Sequence, residues 1–140
     1  MNKTLMAFSW VLTLMLVARG VDYVTGDSFA APVKISEGAE MPLYWGWAAL
    51  SAAALVSVSL VMRHPRFLQN AALVCFAINA MFAVQAFDYR MLPVPWPPED
   101  TRLVTDHIGH ALLWFLIAAA LWWREGIVRR REAILGRETM

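Results

Sequence analysis

The sequence predicts an all-α fold, a bundle of four transmembrane helices with both termini in the cytoplasm. The 140-residue chain is 59% hydrophobic and 16% charged, whereas a soluble domain is usually about 45–50% apolar and about 25% charged. Four apolar runs each approach the length of about 20 residues that a helix needs to cross a bilayer. Lysine and arginine are unequally divided between the two sides of these runs. Such a division orients a membrane protein, because the more basic side stays in the cytoplasm.

We place the four spans at about residues 5–24, 43–62, 67–89 and 101–124 of a single membrane domain, 1–140. The first run also fits a signal peptide, with Lys3 before it and a weak cleavage site at Ala18, but we expect it to be retained. His64 and Pro65 allow only a tight turn, so spans two and three are predicted to be antiparallel neighbours. The remaining segments are two outer loops, 25–42 and 90–100, and a basic cytoplasmic tail, 125–140.

The orientation depends on the basic residues. With the N-terminus inside, eight of the 12 lysines and arginines lie on the inner side: Lys3, Arg63, Arg66, Arg124, Arg129, Arg130, Arg131 and Arg137. The other four lie on the outer side: Arg19, Lys34, Arg90 and Arg102. Acidic residues are distributed in the opposite way, so both termini are predicted to be cytoplasmic.

Ionisable residues collect where the spans reach the outer side. This outer-rim polar cluster consists of Arg19, Asp22, Asp88, Arg90, Asp106, His107 and His110. Asp106 and His110 are four residues apart, so they share one helix face. Charged groups at membrane depth usually face the bundle interior and pair with one another. We therefore interpret the cluster as a hydrogen-bonded and ion-paired ring that closes the outer end of the bundle.

Two other roles for this cluster stay open. Asp106, His107 and His110 offer the nitrogen and oxygen ligands that zinc accepts, although their spacing is a weak metal pattern. Histidines beside carboxylates can also form a proton-sensitive switch. A haem held by two histidines is excluded by topology, because His64 lies on the inner side and the other two histidines share a helix.

Small residues predict where helices pack closely. They recur at four-residue spacing in span two and on one face of span three, and we assign them to a helix-packing face: Ala49, Ala53, Ser57, Ala83 and Ala86. Small side chains let helix backbones approach closely in lipid. Packing within one chain explains this face most simply, and self-association through it is the functional alternative.

The sequence contains few signs of catalytic chemistry. Its one cysteine, Cys75, can form neither an intrachain disulfide nor a cysteine metal site. No phosphate-binding loop, nucleophile elbow, repeat or nucleic-acid-binding patch is visible. We expect no catalytic residue, no cofactor and no nucleic-acid partner.

Two segments resemble a known group of proteins. Residues 19–26, RGVDYVTG, and 40–46, EMPLYWG, are similar to small multi-span membrane proteins of actinobacterial phages, several of which are encoded near lysis genes and treated as candidate holins. The resemblance covers the first span, the first outer loop and the start of span two. It implies a non-enzymatic protein that assembles in the inner membrane of the host.

These observations lead to one expectation and two alternatives. We expect a multi-pass protein of the bacterial inner membrane whose partners are the lipid bilayer and further copies of itself, as in a holin. The first alternative is an accessory subunit of a larger envelope complex, docking through the long outer loop. The second is a metal-dependent membrane enzyme.

Overall fold

All regular structure in the described part of the chain is helical. The computed structural model describes residues 2–25, 43–91 and 102–138, with the backbone alone for residues 86, 88–91, 102–103 and 136–138. It contains four helices: α1, Lys3–Thr25; α2, Leu43–Val61; α3, Pro65–Met91; and α4, Arg102–Glu138. Over the residues that the structure describes, the prediction of an all-helical fold with four helices is confirmed.

Each of the four helices is long and apolar enough to cross a membrane, which identifies a multi-pass membrane protein. Each one also overlaps one of the predicted spans over all but at most one residue of that span. The predicted outer loops are helical at residue 25 and at residues 90–91, and their other residues lie outside the described part of the chain.

Helix α4 extends well beyond its predicted span. It contains 37 residues, about 55 Å of helix at 1.5 Å per residue. A hydrocarbon core is only about 30 Å thick. The predicted basic tail is therefore, as far as Glu138, a continuation of the same helix.

The turn between α2 and α3 is built from specific caps. Arg63 adopts a left-handed φ of 52°, and the amide of His64 donates to the carbonyl of Ser59 at 3.2 Å. This is the Schellman arrangement that ends many helices. The Nδ1 atom of His64 then accepts from the amide of Phe67 at 3.2 Å, and Pro65 occupies the first helical position, where its missing N–H costs nothing. The predicted tight turn is present.

The four helices pack as two close pairs. α1 packs extensively against α2, and α3 against α4; α2 and α3 share a smaller interface, and α1 and α4 make few contacts. The buried core between them includes Leu12, Leu16, Val56, Leu60, Leu68, Phe82 and Trp114. We call the end of the bundle that holds Thr25, Leu43 and Met91 the loop end. The opposite end, with Lys3 and the α2–α3 turn, is the terminal end.

The backbones of α1 and α2 approach each other closely at Gly20 and Gly46. A Cβ atom added to Gly46 would lie 2.7 Å from the Val24 side chain and 2.9 Å from the carbonyl oxygen of Gly20. Two facing glycines are what such a close crossing in lipid requires. This crossing brings the end of α1, and with it Arg19, into a fixed position at the loop end.

Candidate functional site

Arg19 links the first and last helices at the loop end. One guanidinium nitrogen forms an ion pair with the Oδ2 atom of Asp106. The other lies 2.9 Å from the Nδ1 atom of His107. The Arg19 side chain is only 19% exposed, whereas that of Asp106 is 47% exposed. These two contacts of Arg19 form a direct polar connection between α1 and α4, which make few contacts with each other.

The contact with Arg19 determines which nitrogen of the neutral His107 ring carries the hydrogen. A guanidinium can only donate, so the Nδ1 atom of His107 must accept, and the neutral ring carries its hydrogen on Nε2. His107 is completely buried. Its Nε2 atom has no hydrogen-bond partner among the described residues. Burying an imidazole in this way holds the acceptor nitrogen in a fixed position for Arg19.

An aromatic cluster centred on Phe82 packs against His107. The ring of Phe82 lies 5.3 Å from that of His107, 5.2 Å from that of Tyr23 and 5.4 Å from that of Trp45, measured between ring centroids. These separations are typical of favourable aromatic pairs. Phe82 on α3 thereby contacts one ring from each of the other three helices. The sequence analysis did not single out Phe82, whose signal was only its place in an apolar run.

His110 extends the cluster along α4. Its Nδ1 atom lies 2.8 Å from the backbone carbonyl of Asp106 and 3.2 Å from the Oδ1 atom of the same residue. Both of these oxygens are acceptors here, so Nδ1 of His110 carries a hydrogen. The expected pairing of Asp106 with His110 is present, and the two carboxylate oxygens of Asp106 face different partners.

The other predicted rim residues are less completely defined. Asp22 lies about one turn beyond Arg19 on α1 and is partly buried. Asp88 and Arg90 belong to the last turns of α3, and their predicted side-chain interactions lie outside the described part. The structure therefore brings four of the seven predicted residues into direct contact: Arg19, Asp106, His107 and His110.

The geometry of this cluster suits an arginine better than a metal ion. No group of three His, Cys, Asp or Glu side chains that could hold a metal ion occurs among the described residues. The guanidinium of Arg19 contacts both the carboxylate of Asp106 and the Nδ1 atom of His107. A cation is thus already present where Asp106 and His107 would offer ligands to zinc.

The predicted helix-packing face lies inside the bundle. Ala49 and Ala53 are 0% and 1% exposed, and Ala83 is 7% exposed. Ser57 is partly buried, and its hydroxyl donates to the carbonyl of Ala53 at 2.8 Å. The side chain of Ala86 lies outside the described set. Ala49, Ala53 and Ala83 are occupied by packing within one chain, as the simpler interpretation of this face expected, and these three alanines offer almost no exposed surface to a second copy.

The side-chain donors of four polar residues deeper in the bundle bond within their own helices. Each donates to a backbone carbonyl three or four residues earlier: Ser9, Thr13, Ser59 and Asn79. This pattern is common for hydroxyl residues in helices. These donors therefore have partners without any contact between helices.

A second ionic cluster, which the sequence analysis did not identify, lies at the terminal end. The Oε1 atom of Glu125 on α4 accepts from Arg66 on α3 at 2.7 Å and from Arg129 at 2.5 Å. The two arginine side chains are 67% and 68% exposed. Glu125 and Arg129 are four residues apart, a spacing that favours helical ion pairs and could have indicated this part of the cluster. The contact with Arg66 depends on the helix packing.

Comparison of the chain with protein-family models, curated protein sequences and solved structures gives no match.

Proposed function

We propose that this chain is a non-enzymatic protein of the bacterial inner membrane that acts by associating with copies of itself, in the manner of a holin. Both termini are assigned to the cytoplasm, because eight of the 12 lysines and arginines belong to the terminal end and the helix that extends from it. The resemblance of residues 19–26 and 40–46 to phage membrane proteins near lysis genes suggests the holin class.

The observation that carries the proposal is the contact of Arg19 with Asp106 and His107. The ionisable side chains that could have served in catalysis at this depth instead contact one another between α1 and α4. The apolar cavity of about 390 Å³ between α3 and α4 is lined instead by residues such as Phe76, Val84 and Ile108. A cluster in which Arg19 contacts both Asp106 and His107 supports a structural role, since it holds α1 against α4.

Self-association then requires a surface that the monomer leaves open. On α2 the exposed face includes Trp47, Ser51, Ala54 and Leu55. Ser51 and Ala54 are its smallest side chains and lie one turn apart, a pattern that allows close approach of a second helix in lipid. We assign the contact between copies to this face of α2.

Disulfide cross-linking tests this assignment. In a Cys75→Ser background, Ala54→Cys should form cross-linked dimers in membranes under mild oxidation. Ala53→Cys is the matched control, because Ala53 is adjacent in sequence but only 1% exposed. Equal cross-linking at both positions, or none at Ala54 in a correctly inserted protein, would contradict the proposed interface.

Induced expression in bacteria tests the holin function itself. Growth should stop abruptly, the membrane potential should collapse, and a co-expressed cytoplasmic endolysin should be released. Ala54→Leu should change the timing of this arrest more than Ala77→Leu, because Ala77 is also exposed but lies on α3. Continued growth with a normal potential, despite confirmed insertion, would favour the accessory subunit of an envelope complex.

Single-cysteine labelling tests the orientation. In the Cys75→Ser background, Ser36→Cys and Glu99→Cys should react with an impermeant maleimide in intact cells, and Glu138→Cys should not. Labelling at Glu138 with protection at Ser36 would reverse the topology.

A further inference from the structure

A cavity of about 310 Å³ opens at the terminal end, between the start of α3 and the extension of α4. Its volume is within the range of small-ligand pockets. Apolar walls come from Pro65, Leu121 and Val128, whereas Arg66 and Arg124 supply cationic groups. One cavity thus combines an apolar surface with positive charge.

The position of this cavity along α4 is that of a membrane interface. Trp122 and Trp123 lie next to it in the sequence, and their side chains are 66% and 68% exposed. Tryptophan rings collect where hydrocarbon meets headgroups. Leu121 is 4% exposed and belongs to the core, whereas Arg124 is exposed to the surroundings. The cavity therefore extends from the apolar core toward the headgroup region.

The charges around the cavity favour an anion. Residues 63–66 and 124–132 contain six arginines and two glutamates. Glu125 lines the cavity, but one of its oxygens binds both Arg66 and Arg129. Its charge is thus more than balanced by two guanidinium groups, which it also holds in place. Arg124 has no ion pair with any described residue and adds a further positive charge.

We propose that this cavity binds an anionic phospholipid, with the headgroup phosphate on Arg124 and Arg66 and an acyl chain against Leu121. Arginine suits phosphate because its planar fork can donate two hydrogen bonds to it. The adjacent apolar wall distinguishes a lipid from a free phosphate. The bound lipid links the start of α3 to α4 at the terminal end.

Thermal unfolding of the purified full chain in dodecylmaltoside tests the site. Phosphatidylglycerol should raise the midpoint temperature at lower concentrations than phosphatidylcholine. Arg124→Gln should raise the phosphatidylglycerol concentration for half-maximal stabilisation about tenfold, since a charge-assisted hydrogen bond is lost. Arg131→Gln, which removes the same charge from an arginine that does not line the cavity, should leave that concentration unchanged.

Three results would overturn the proposal. They are equal stabilisation of the wild type by the two lipids, an equal loss in Arg131→Gln and Arg124→Gln, and equal stabilisation by soluble glycerol phosphate. The last result would assign the site to a free phosphate. The comparison of lipids uses the wild type alone, so it remains decisive even if a variant folds poorly.

Discussion

The two ends of the bundle each contain an ionic cluster that joins α4 to another helix, but the arginines of the two clusters differ in burial. At the loop end, Arg19 is 19% exposed and binds Asp106 and the fully buried His107. At the terminal end, Glu125 binds Arg66 and Arg129, whose side chains are each about two-thirds exposed. The same pairing of guanidinium and carboxylate therefore operates in two different environments.

This difference determines what each cluster can contribute to stability. An exposed ion pair is screened by water and salt and adds little. A buried pair contributes mainly through the penalty that appears when one partner is removed and the other stays without a counter-charge. The loop end should thus be sensitive to substitution, and the terminal end should tolerate it.

Removal of one carboxylate at each end gives the largest expected contrast. Asp106→Ala leaves the mostly buried charge of Arg19 without its counter-ion. Breaking a fully buried pair costs about 3–5 kcal/mol, and we expect about 2 kcal/mol here because Asp106 is about half exposed. Glu125→Ala leaves two well-hydrated arginines and should give a change within measurement error. Thermal unfolding in detergent measures both, and equal losses would remove the distinction between the two ends.

The same glycine substitution should have opposite effects at the two ends. A Cβ atom on Gly46 would lie 2.9 Å from the carbonyl oxygen of Gly20 and 3.0 Å from the amide nitrogen of Val24. Gly46→Ala should therefore force α1 away from α2 and destabilise the protein by about 1–2 kcal/mol, as overpacking does. A Cβ atom on Gly126 meets nothing within 4 Å. Gly126→Ala should stabilise α4 by about 0.5–1 kcal/mol, because glycine is a poor helix former. A stable Gly46→Ala variant would show that the crossing is looser than described.

The positions of the helices could be predicted from the sequence, but the faces that they turn inward could be predicted only in part, as at the small residues Ala49 and Ala53. Apolar runs determine where helices cross the bilayer, so all four were located. In lipid, however, the buried and exposed faces of a helix are both apolar. Nothing in the sequence therefore marked Phe82 as the side chain that touches all three other helices.

The sequence could predict those features of the candidate site that depend on how deep each residue lies in the membrane. Arg19, Asp106 and His110 were expected at one level because each lies near the same end of a span. The contact between the Arg19 guanidinium and His107 depends on how the helices are rotated and on where α1 crosses α2 at Gly20. Sequence spacing reveals neither. The prediction also treated Ala49 and Ala53 as possible contacts between copies, whereas their burial assigns them to one chain.

Replacing arginine by lysine keeps the positive charge but changes the hydrogen-bonding geometry. The substitution therefore separates these two contributions at each end. Arg19 uses two nitrogens for two different acceptors, and a lysine has only one. Arg19→Lys should therefore keep the ion pair, lose the hydrogen bond to His107 and destabilise by about 1 kcal/mol. Arg66→Lys at the exposed terminal end should have no measurable effect. Equal midpoint temperatures for Arg19→Lys and the wild type would mean that charge alone matters at the loop end.

The smallest expected effect lies within the loop end, between Asp106 and His110. The Nδ1 atom of His110 is closer to the backbone carbonyl of residue 106, at 2.8 Å, than to its carboxylate, at 3.2 Å. Asp106→Ala keeps that backbone bond, so only part of the interaction is lost. The double variant with His110→Ala should therefore be less destabilised than the sum of the two single variants, but only by about 0.5 kcal/mol. The coupling between Asp106 and Arg19, measured by the same cycle, should be larger, because their ion pair has no backbone substitute. Strictly additive effects at Asp106 and His110 would mean that the two side chains do not interact. Added zinc completes the test. If zinc markedly stabilises the wild type and this effect is lost in both single variants, the residues form a metal site and not an ion-paired cluster.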